Sequence, residues 1–319
     1  MTLKKIGIIG ASGYTGFELI KILSRHKDVE LVALNSAGWG GKNVSELYTS
    51  FTSDLKFTDY TLNEIKDLRP DLLFLAMQEN YARDTAPKLN CKVIDLSRDL
   101  RFKGDTAYGL PELFRSKIKS AKVVSNPGCY ATASILAALP LVKEGIAKNI
   151  VFDCKSGYSG AGRTPSYLND PKHYENNIIA YKLTQHNHRD EIEKCLNEQR
   201  AEGEERRVNV SFTPHVIPLF RGIMATAHIL LQKSVDADKI RNLYTDFYAK
   251  EPFVKVVEKL PELHDVQNTN LCCIGGFEVD SNNRLVVVAT IDNLLKGASG
   301  QAVQNMNLML GFEETEGLI

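Results

Sequence analysis

The first 35 residues leave this chain little choice of fold. Lys4 to Gly10 reads Lys-Lys-Ile-Gly-Ile-Ile-Gly, a short buried strand, and Ala11-Ser-Gly-Tyr-Thr-Gly16 follows at once. Phe17, Ile20 and Leu23 then recur at helical spacing up to Arg25, and Glu30 to Asn35 is strand-like again. A βαβ unit takes about thirty residues, which this segment supplies. Gly10, Gly13 and Gly16 form G-x-x-G-x-x-G in place of the commoner G-x-G-x-x-G. Their expected work is the same: a tight turn, close backbone approach to a pyrophosphate, and close packing of helix on strand. Gly10, Ser12, Gly13, Tyr14, Thr15 and Gly16 are therefore candidate dinucleotide-binding residues.

An NAD site would end the second strand on Asp or Glu, to bind the ribose 2′-hydroxyl. This strand ends Leu34-Asn35-Ser36-Ala37, and Lys42 follows in a glycine-rich loop. A hydroxyl and a cation suit a 2′-phosphate, so Ser36 and Lys42 point to NADP. The plainer account of Lys42 is a solvated loop lysine.

A second feature carries reactivity. Ser125-Asn-Pro-Gly-Cys-Tyr-Ala-Thr132 follows the apolar run Lys122 to Val124, and Tyr130 to Leu139 is rich in Ala, Ile and Leu. Strand, Pro-Gly turn and helix place Cys129 at a helix N-terminus, where backbone N–H groups favour an anion. A free thiol with a pKa near ~8.5 is only about 3% thiolate at pH 7. The helix end contributes ~0.3–1 kcal/mol, at best ~2, short of the ~2.7 that a two-unit shift requires. A basic partner is expected elsewhere in the chain. Burial as an inert thiol is the commoner fate of cysteine, but this setting points to a nucleophile.

The 319 residues suffice for two domains. Lys plus Arg and Asp plus Glu both number 39, and no basic stripe interleaved with aromatics argues for nucleic acid. The dense charge run Glu202 to Arg207 mixes both signs and reads as a solvated loop. The six cysteines show no C-x-x-C pair and no zinc-type spacing, so no metal site is expected. No apolar run approaches membrane-spanning length and no signal segment precedes the first strand, so a cytoplasmic protein with reduced thiols and no membrane partner is expected.

Short apolar strands at Asp71–Met77, Lys92–Leu96 and Lys122–Val124 continue the alternation of a parallel sheet. Beyond the Cys129 helix the texture changes. Val151–Lys155, Val208–Phe212, Gly222–Gln232, Leu271–Val279 and Arg284–Ile291 are strand-like, with one long helix at Ala237–Ala249 and a hairpin signal at Asp280-Ser-Asn-Asn283. The expected fold class is α/β: a Rossmann-like parallel-sheet domain plus an α+β catalytic domain with a mixed or antiparallel sheet. The expected boundaries are 1–127 for the first domain and 128–295 for the catalytic and dimerisation domain. An amphipathic helix within about 296–319 is expected to return to the first domain.

Eight blocks together resemble the semialdehyde dehydrogenase family, in its branch acting on a phosphorylated glutamyl derivative for arginine biosynthesis. They are Gly10–Gly16, Asp95-Leu-Ser-Arg-Asp-Leu-Arg101, Tyr108-Gly-Leu-Pro-Glu112, Asn126-Pro-Gly-Cys-Tyr-Ala-Thr132, Ser156-Gly-Tyr-Ser-Gly-Ala-Gly-Arg163, His186-Asn-His-Arg-Asp-Glu-Ile192, Phe212-Thr-Pro-His-Val-Ile-Pro218 and Ile291-Asp-Asn-Leu-Leu-Lys-Gly297. Arg98, Asn187 and Asp190 depart from the family pattern, and the loop after Ser36 is short.

The resemblance implies reduction of an acyl phosphate to an aldehyde by NADPH. Cys129 attacks the carbonyl, phosphate leaves, and the thioester is reduced through a thiohemiacetal. His186 is the expected acid–base partner and His188 its rival; in a strand or a helix the two rings would diverge, leaving one to serve. His26 reads as a polar-loop residue, His228 as a strand residue, and His215 as one that positions a loop near the site. Arg101 and Arg163 are candidates for phosphate or carboxylate, Tyr181 and Glu191 are further substrate-side candidates, and Asn293 is a candidate for the nicotinamide amide. A homodimer or homotetramer is expected. The same machinery on an N-succinyl-glutamyl, a carrier-linked aminoadipyl or glutamyl, or an aspartyl phosphate is the alternative; a non-catalytic NADP-binding regulator is a remote one.

Overall fold

A computed structural model of the chain describes residues 2–200 and 207–319. The charge run from Glu202 lies, apart from Arg207, outside the described residues. The chain divides into two compact units, Met1–Gly128 with Ala298–Ile319, and Cys129–Gly297.

In the first unit, β1 (Lys4–Ile9), β2 (Val29–Asn35), β3 (Leu72–Leu75), β4 (Lys92–Asp95), β5 (Ala107–Tyr108) and β6 (Val123–Ser125) form one sheet. Its order is β2-β1-β3-β4-β6-β5 and every pairing is parallel. Strands covered on both faces read as unbroken apolar runs, and all four residues of Leu-Leu-Phe-Leu in β3 are buried. The strand order reverses at β1, so the turn at its carboxyl end lies where such sheets bind ligands.

The helix Gly300–Leu310 belongs to this unit, and one expectation about it fails: it is not amphipathic. Every residue from Gly300 to Met309 is buried, Gln301, Gln304, Asn305 and Asn307 included. Several of their polar groups find partners inside, though Asn305 Oδ1 finds no hydrogen bond. Asn305 Nδ2 donates to Gly109 O (2.9 Å) and Asn126 Oδ1 (3.1 Å), and Asn307 Nδ2 donates to Glu316 O (2.9 Å). The other side of the Asn307 amide meets His26, whose Nε2 lies 3.1 Å from Asn307 Oδ1. His26 lies in the loop between the helix Tyr14–Leu23 and β2, as its neighbours suggest, but is buried there. Satisfied polar groups cost little in a core, but in a sequence they imitate an outer face.

The second unit holds β7 (Ala147–Gly157), β8 (Ile179–Ala180), β9 (Asn209–Ile217), β10 (Ile223–Leu231), β11 (Val254–Val256), β12 (Cys272–Val279) and β13 (Arg284–Ile291). They form a mixed sheet, β11-β12-β13-β10-β7-β9-β8, in which β7–β9 and β11–β12 are parallel and the other pairs antiparallel. Alternate residues of β10 are fully buried, the mark of one covered face. The helix Cys129–Lys143 packs on β7, β10 and β13. It is buried from Tyr130 to Val142, which is why its sequence is apolar all round.

That helix runs past Leu139, through Pro140, to Lys143. A proline there has no N–H for the carbonyl of Leu136 and strands it in the core. The Tyr248 hydroxyl donates to Leu136 O instead (2.7 Å), and Tyr244 donates to Ala137 O (2.5 Å). Both tyrosines come from the helix Ala237–Tyr248, so a distant element repairs the break.

Candidate active site

The glycine turn is built for close approach. Gly10 stands at φ +92°, and a Cβ there would lie 2.2 Å from Ala76 O; a Cβ on Gly16 would lie 2.3 Å from Gly10 O. Only glycine tolerates either position. The helix that follows, Tyr14–Leu23, begins at Gly13 with no side-chain cap and no acidic residue in its first turn. Its N-terminal dipole would therefore favour an anion there, with no acidic side chain in the first turn to compete. Ser36, at the end of β2, donates to Ser12 Oγ (2.5 Å) and ties that strand end to the turn. Tyr48 donates to Ser12 O (2.8 Å) and stacks on Phe17 at 3.6 Å between ring centroids. Asn35 is occupied in fixing the next loop, with Tyr60 N donating to its Oδ1 (2.6 Å). Lys42 is exposed, its ammonium 4.8 Å from the Trp39 ring centroid. These residues fit a nicotinamide dinucleotide, and Tyr48 is a contributor that the turn's spacing does not reveal.

The block Asp95–Arg101 proves to be a stapled loop. Asp95, wholly buried, accepts from Ser97 N (2.8 Å), Ser97 Oγ (2.6 Å) and Leu100 N (3.2 Å). Burial pushes its carboxyl above the usual range, against the pull of those donors and of Arg101. Asp99 accepts from the backbone of Asn80, Ala82 and Arg83, and so caps a neighbouring helix. The loop delivers Arg101 to the carbonyl of Asn126, which accepts from its Nε at 3.0 Å. Asn126 is held at every polar group: its N–H donates to Asp95 O (2.7 Å), Nδ2 to Ala298 O (3.0 Å), and Oδ1 accepts from Asn305. The segment leading to Cys129 thus starts from a fixed point. Arg98 makes an exposed pair with Glu79 (2.6 Å).

Cys129 is half-buried and is the first residue of its helix. A Cβ on Gly297 would lie 2.9 Å from Cys129 Cβ, so bare backbone backs the thiol-bearing carbon. Other cysteines differ in kind. Burial pushes the thiols of Cys91 and Cys273 up, Cys195 further, and Cys154 up to about 12. All six are free.

The candidate basic partners of Cys129 are the histidines His186 and His188. His186 is the N-cap of the helix Asn187–Glu198, with extended backbone (φ −80°, ψ 129°). Its Nδ1 accepts from His188 N (3.2 Å), standing where an aspartate Oδ1 would stand. The cap bond requires a lone pair on Nδ1, so the neutral ring carries its proton on Nε2. Adding a second proton would break the cap. Burial, with Lys182 adding to it, pushes the imidazole down to about 4.

The expected divergence of the two rings does not occur. A cap residue lies outside the helix, so neither strand nor helix geometry governs the pair. The His186 and His188 rings are 4.8 Å apart, and both meet the Tyr130 ring edgewise, at 5.8 and 5.7 Å. Tyr130, next in sequence to Cys129, is buried; its hydroxyl donates to His215 O (3.1 Å) and meets the Tyr181 hydroxyl. Tyr181 also packs on His186 (5.5 Å), and burial pushes its phenol up to about 12. His215 lies within β9. Its carbonyl serves Tyr130, while its Nδ1 lies 3.2 Å from Cys154 O and 3.3 Å from Asp153 Oδ1. Tyr130 is the organising residue that sequence reasoning missed; its place beside the cysteine was the only signal.

The remaining candidates sit apart from this cluster or have internal work. Glu191 is buried on the inner face of the His186-capped helix, next to Cys195. Arg163 is exposed in the loop that follows Tyr158–Ala161. Asn293, 2% exposed, accepts from Gly222 N (2.8 Å) and donates to Ser159 Oγ (2.9 Å). Asn187 and Asp190 fall in the first turn of the capped helix, where an acidic residue suits the dipole as proline would suit the geometry. Among the described residues no group of three or more His, Cys, Asp and Glu is placed to hold a metal, and no helix is long and apolar enough to cross a membrane.

Comparison with known proteins covers both units. Residues 5–121 match the NAD binding domain of semialdehyde dehydrogenase, and residues 129–293 match its dimerisation domain. The chain is 43% identical to an N-acetyl-gamma-glutamyl-phosphate reductase of Methanocaldococcus jannaschii, over 99% of this chain and 98% of that protein. It is 44% identical to one from Thermoanaerobacter pseudethanolicus, over 98% and 97%. Among solved structures, aspartate semialdehyde dehydrogenase II of Vibrio cholerae, in complex with ASA, superposes with a TM-score of 0.79 at 16% identity, over 98% of this chain and 99% of that one. The Candida albicans aspartate semialdehyde dehydrogenase with NADP gives 0.74, also at 16%, over 97% and 99%. At that identity the likeness is one of fold.

Proposed function

The chain belongs to the semialdehyde dehydrogenase family, and from that premise we propose that it reduces N-acetyl-γ-glutamyl phosphate to N-acetylglutamate semialdehyde and phosphate, with NADPH, in arginine biosynthesis. The observation that carries the reading is Cys129 at a helix start, one residue from the Tyr130 ring on which His186 and His188 both pack. The substrate is the one named for relatives that match end to end.

Cys129 Sγ attacks the acyl carbon, and the bond to the phosphate oxygen breaks with its electron pair on phosphate, leaving a thioester. The nicotinamide, when bound, supplies hydride. Cys129 then departs from the thiohemiacetal as the aldehyde forms. The proton released by the thiol passes to the imidazole pair, either to Nδ1 of His186 as that nitrogen gives up its cap bond or to His188, and returns to the thiohemiacetal oxygen. His186 is assigned as the acid–base residue, its Nε2–H offering a donor to that oxygen as it gains charge; His188 is the alternative. N–H groups at the start of the Cys129 helix stabilise the same oxyanion. Gly10, Ser12, Gly13, Tyr14, Thr15 and Gly16 hold the pyrophosphate, Ser36 and Lys42 the 2′-phosphate, and Asn293 the nicotinamide amide. Arg101 and Arg163 take the substrate's anionic groups, and Tyr181 and Glu191 line its side. A cytoplasmic homodimer or homotetramer completes the reading, with the interface in 129–293.

The test runs the reaction backwards, from semialdehyde, phosphate and NADP or NAD. N-acetylglutamate semialdehyde with NADP is expected to be preferred; a preference for the N-succinylglutamate or aspartate semialdehyde overturns the substrate, and a preference for NAD overturns the cofactor. With acyl phosphate and no reductant, mass spectrometry is expected to find the acyl group on the Cys129 peptide. Its absence there would remove the thioester.

A further inference from the structure

We infer that the buried ion pair Arg221–Asp292 is a positioning device for Cys129, acting through Gly297. The inference rests on the reading of Cys129 as nucleophile, and it begins from a carboxylate with no exposed surface. Asp292 Oδ2 lies 3.2 Å from Arg221 Nη1 and accepts from Asn268 N (2.8 Å), while Oδ1 accepts from Leu294 N (2.9 Å) and Leu295 N (3.3 Å). Arg221 is 8% exposed, and its Nη1 also donates to Asn268 Oδ1 (2.5 Å). Asn268 stands at φ +62°, a left-handed conformation that asparagine tolerates and most residues do not. Charges are seldom buried this way unless several donors fix them. Four donors here fix one carboxylate.

The consequence is local. Asp292 and its donors shape the chain from Ile291 into the π-helical turn Leu295–Ser299, and Gly297 N donates to Asp292 O (2.9 Å). π turns are rare and recur at functional sites. Gly297 is the residue that backs Cys129 Cβ. On the other side, Asn293 holds Gly222 N and Ser159, and Gly222 follows Arg221 directly. One ion pair therefore sets both the surface behind the thiol and the Ser156–Arg163 block. Neither Arg221 nor Asp292 needs to touch substrate; both are positioning residues.

The readout is alkylation of Cys129 by iodoacetamide, followed on its peptide by mass spectrometry across pH, beside turnover and thermal melting. Arg221→Met and Gly297→Ala are each expected to slow alkylation and kcat by about 10–100-fold, the cost of a misplaced reacting group, with the cofactor Kd unchanged. Arg221→Lys is expected to recover part of the loss. The double variant is expected to show less than the sum of the two effects on a logarithmic scale, because both act on one contact. A lowered melting temperature with an unchanged alkylation rate and pH profile in the folded variants would reduce the pair to a structural role and overturn the proposal, as would full additivity. The underlying reading fails differently: wild-type Cys129 would then alkylate no faster than Cys91 and form no acyl adduct.

Discussion

The proposed sites of the two units are built from different materials. In the first, the binding edge is mostly backbone: a turn of three glycines, the start of one helix, and two serine hydroxyls within about twenty-five residues of chain. In the second, the side chains of Cys129, Tyr130, Tyr181, His186 and His188 and the carbonyl of His215 come from four segments and gather about Tyr130. A backbone site is fixed once its strand and helix form, and tolerates sequence change wherever the glycines stay. A side-chain site depends on every element that delivers a ring. The two should therefore fail separately.

Cys129→Ser is the sharpest cut between them. Turnover is expected to fall by about 10⁴–10⁶-fold, since a nucleophile is removed and not merely a contact. The cofactor Kd, measured by fluorescence titration, is expected to hold. A parallel loss of cofactor affinity would show that the units do not act independently and that the comparison is wrong.

The same contrast explains what could be read from the chain. Gly10, Gly13 and Gly16 announce the first site because close approach and positive φ each need glycine at a fixed local offset. The alternation of β10 and the unbroken apolar run of β3 likewise carry their burial in their own letters. Side chains that matter through distant partners carry no such mark. Nothing local tells that Tyr248 replaces the donor Pro140 lacks, or that Asn305 and Asn307 are core residues. The helix Asn187–Glu198 does not announce itself, because its cap is a histidine, absent from the usual Ser, Thr, Asp and Asn set, and its residues are mostly charged. The family resemblance points to the two histidines as candidate bases for Cys129, yet not to both rings lying against Tyr130.

His186→Asn tests that cluster while sparing its helix, since asparagine is a good N-cap. Turnover is expected to drop by about 10²–10⁴-fold, the usual worth of acid–base catalysis. If only His188→Asn has such an effect, the roles are exchanged. The pH dependence supplies a second readout. The His186 pKa lies below its unfolded value, near 4 against 6.5, so the neutral ring's contribution to stability is present above about pH 6.5 and is lost as pH falls through 4. The wild-type melting temperature should decline across that window, and less so in His186→Asn. An acid limb of activity near 6.5 would contradict the buried, neutral, capping ring.

The smallest effect belongs to the backbone-built site, and the reason is Lys42. Its ammonium rests over Trp39 at 4.8 Å and is exposed, so a 2′-phosphate must draw it from an existing contact through a medium of high dielectric. Lys42→Ala should then raise the KM for NADPH by about three- to tenfold while leaving NADH unchanged, because a surface ion pair is weak and screened. Salt distinguishes this from a packing defect. The NADPH penalty should shrink as ionic strength rises and the Debye length shortens, whereas disturbance of the Trp39 loop would persist in salt and reach both cofactors. Equal, salt-independent losses would strip Lys42 of its charge-reading role and leave Ser36 and the glycine turn as the whole of the cofactor edge.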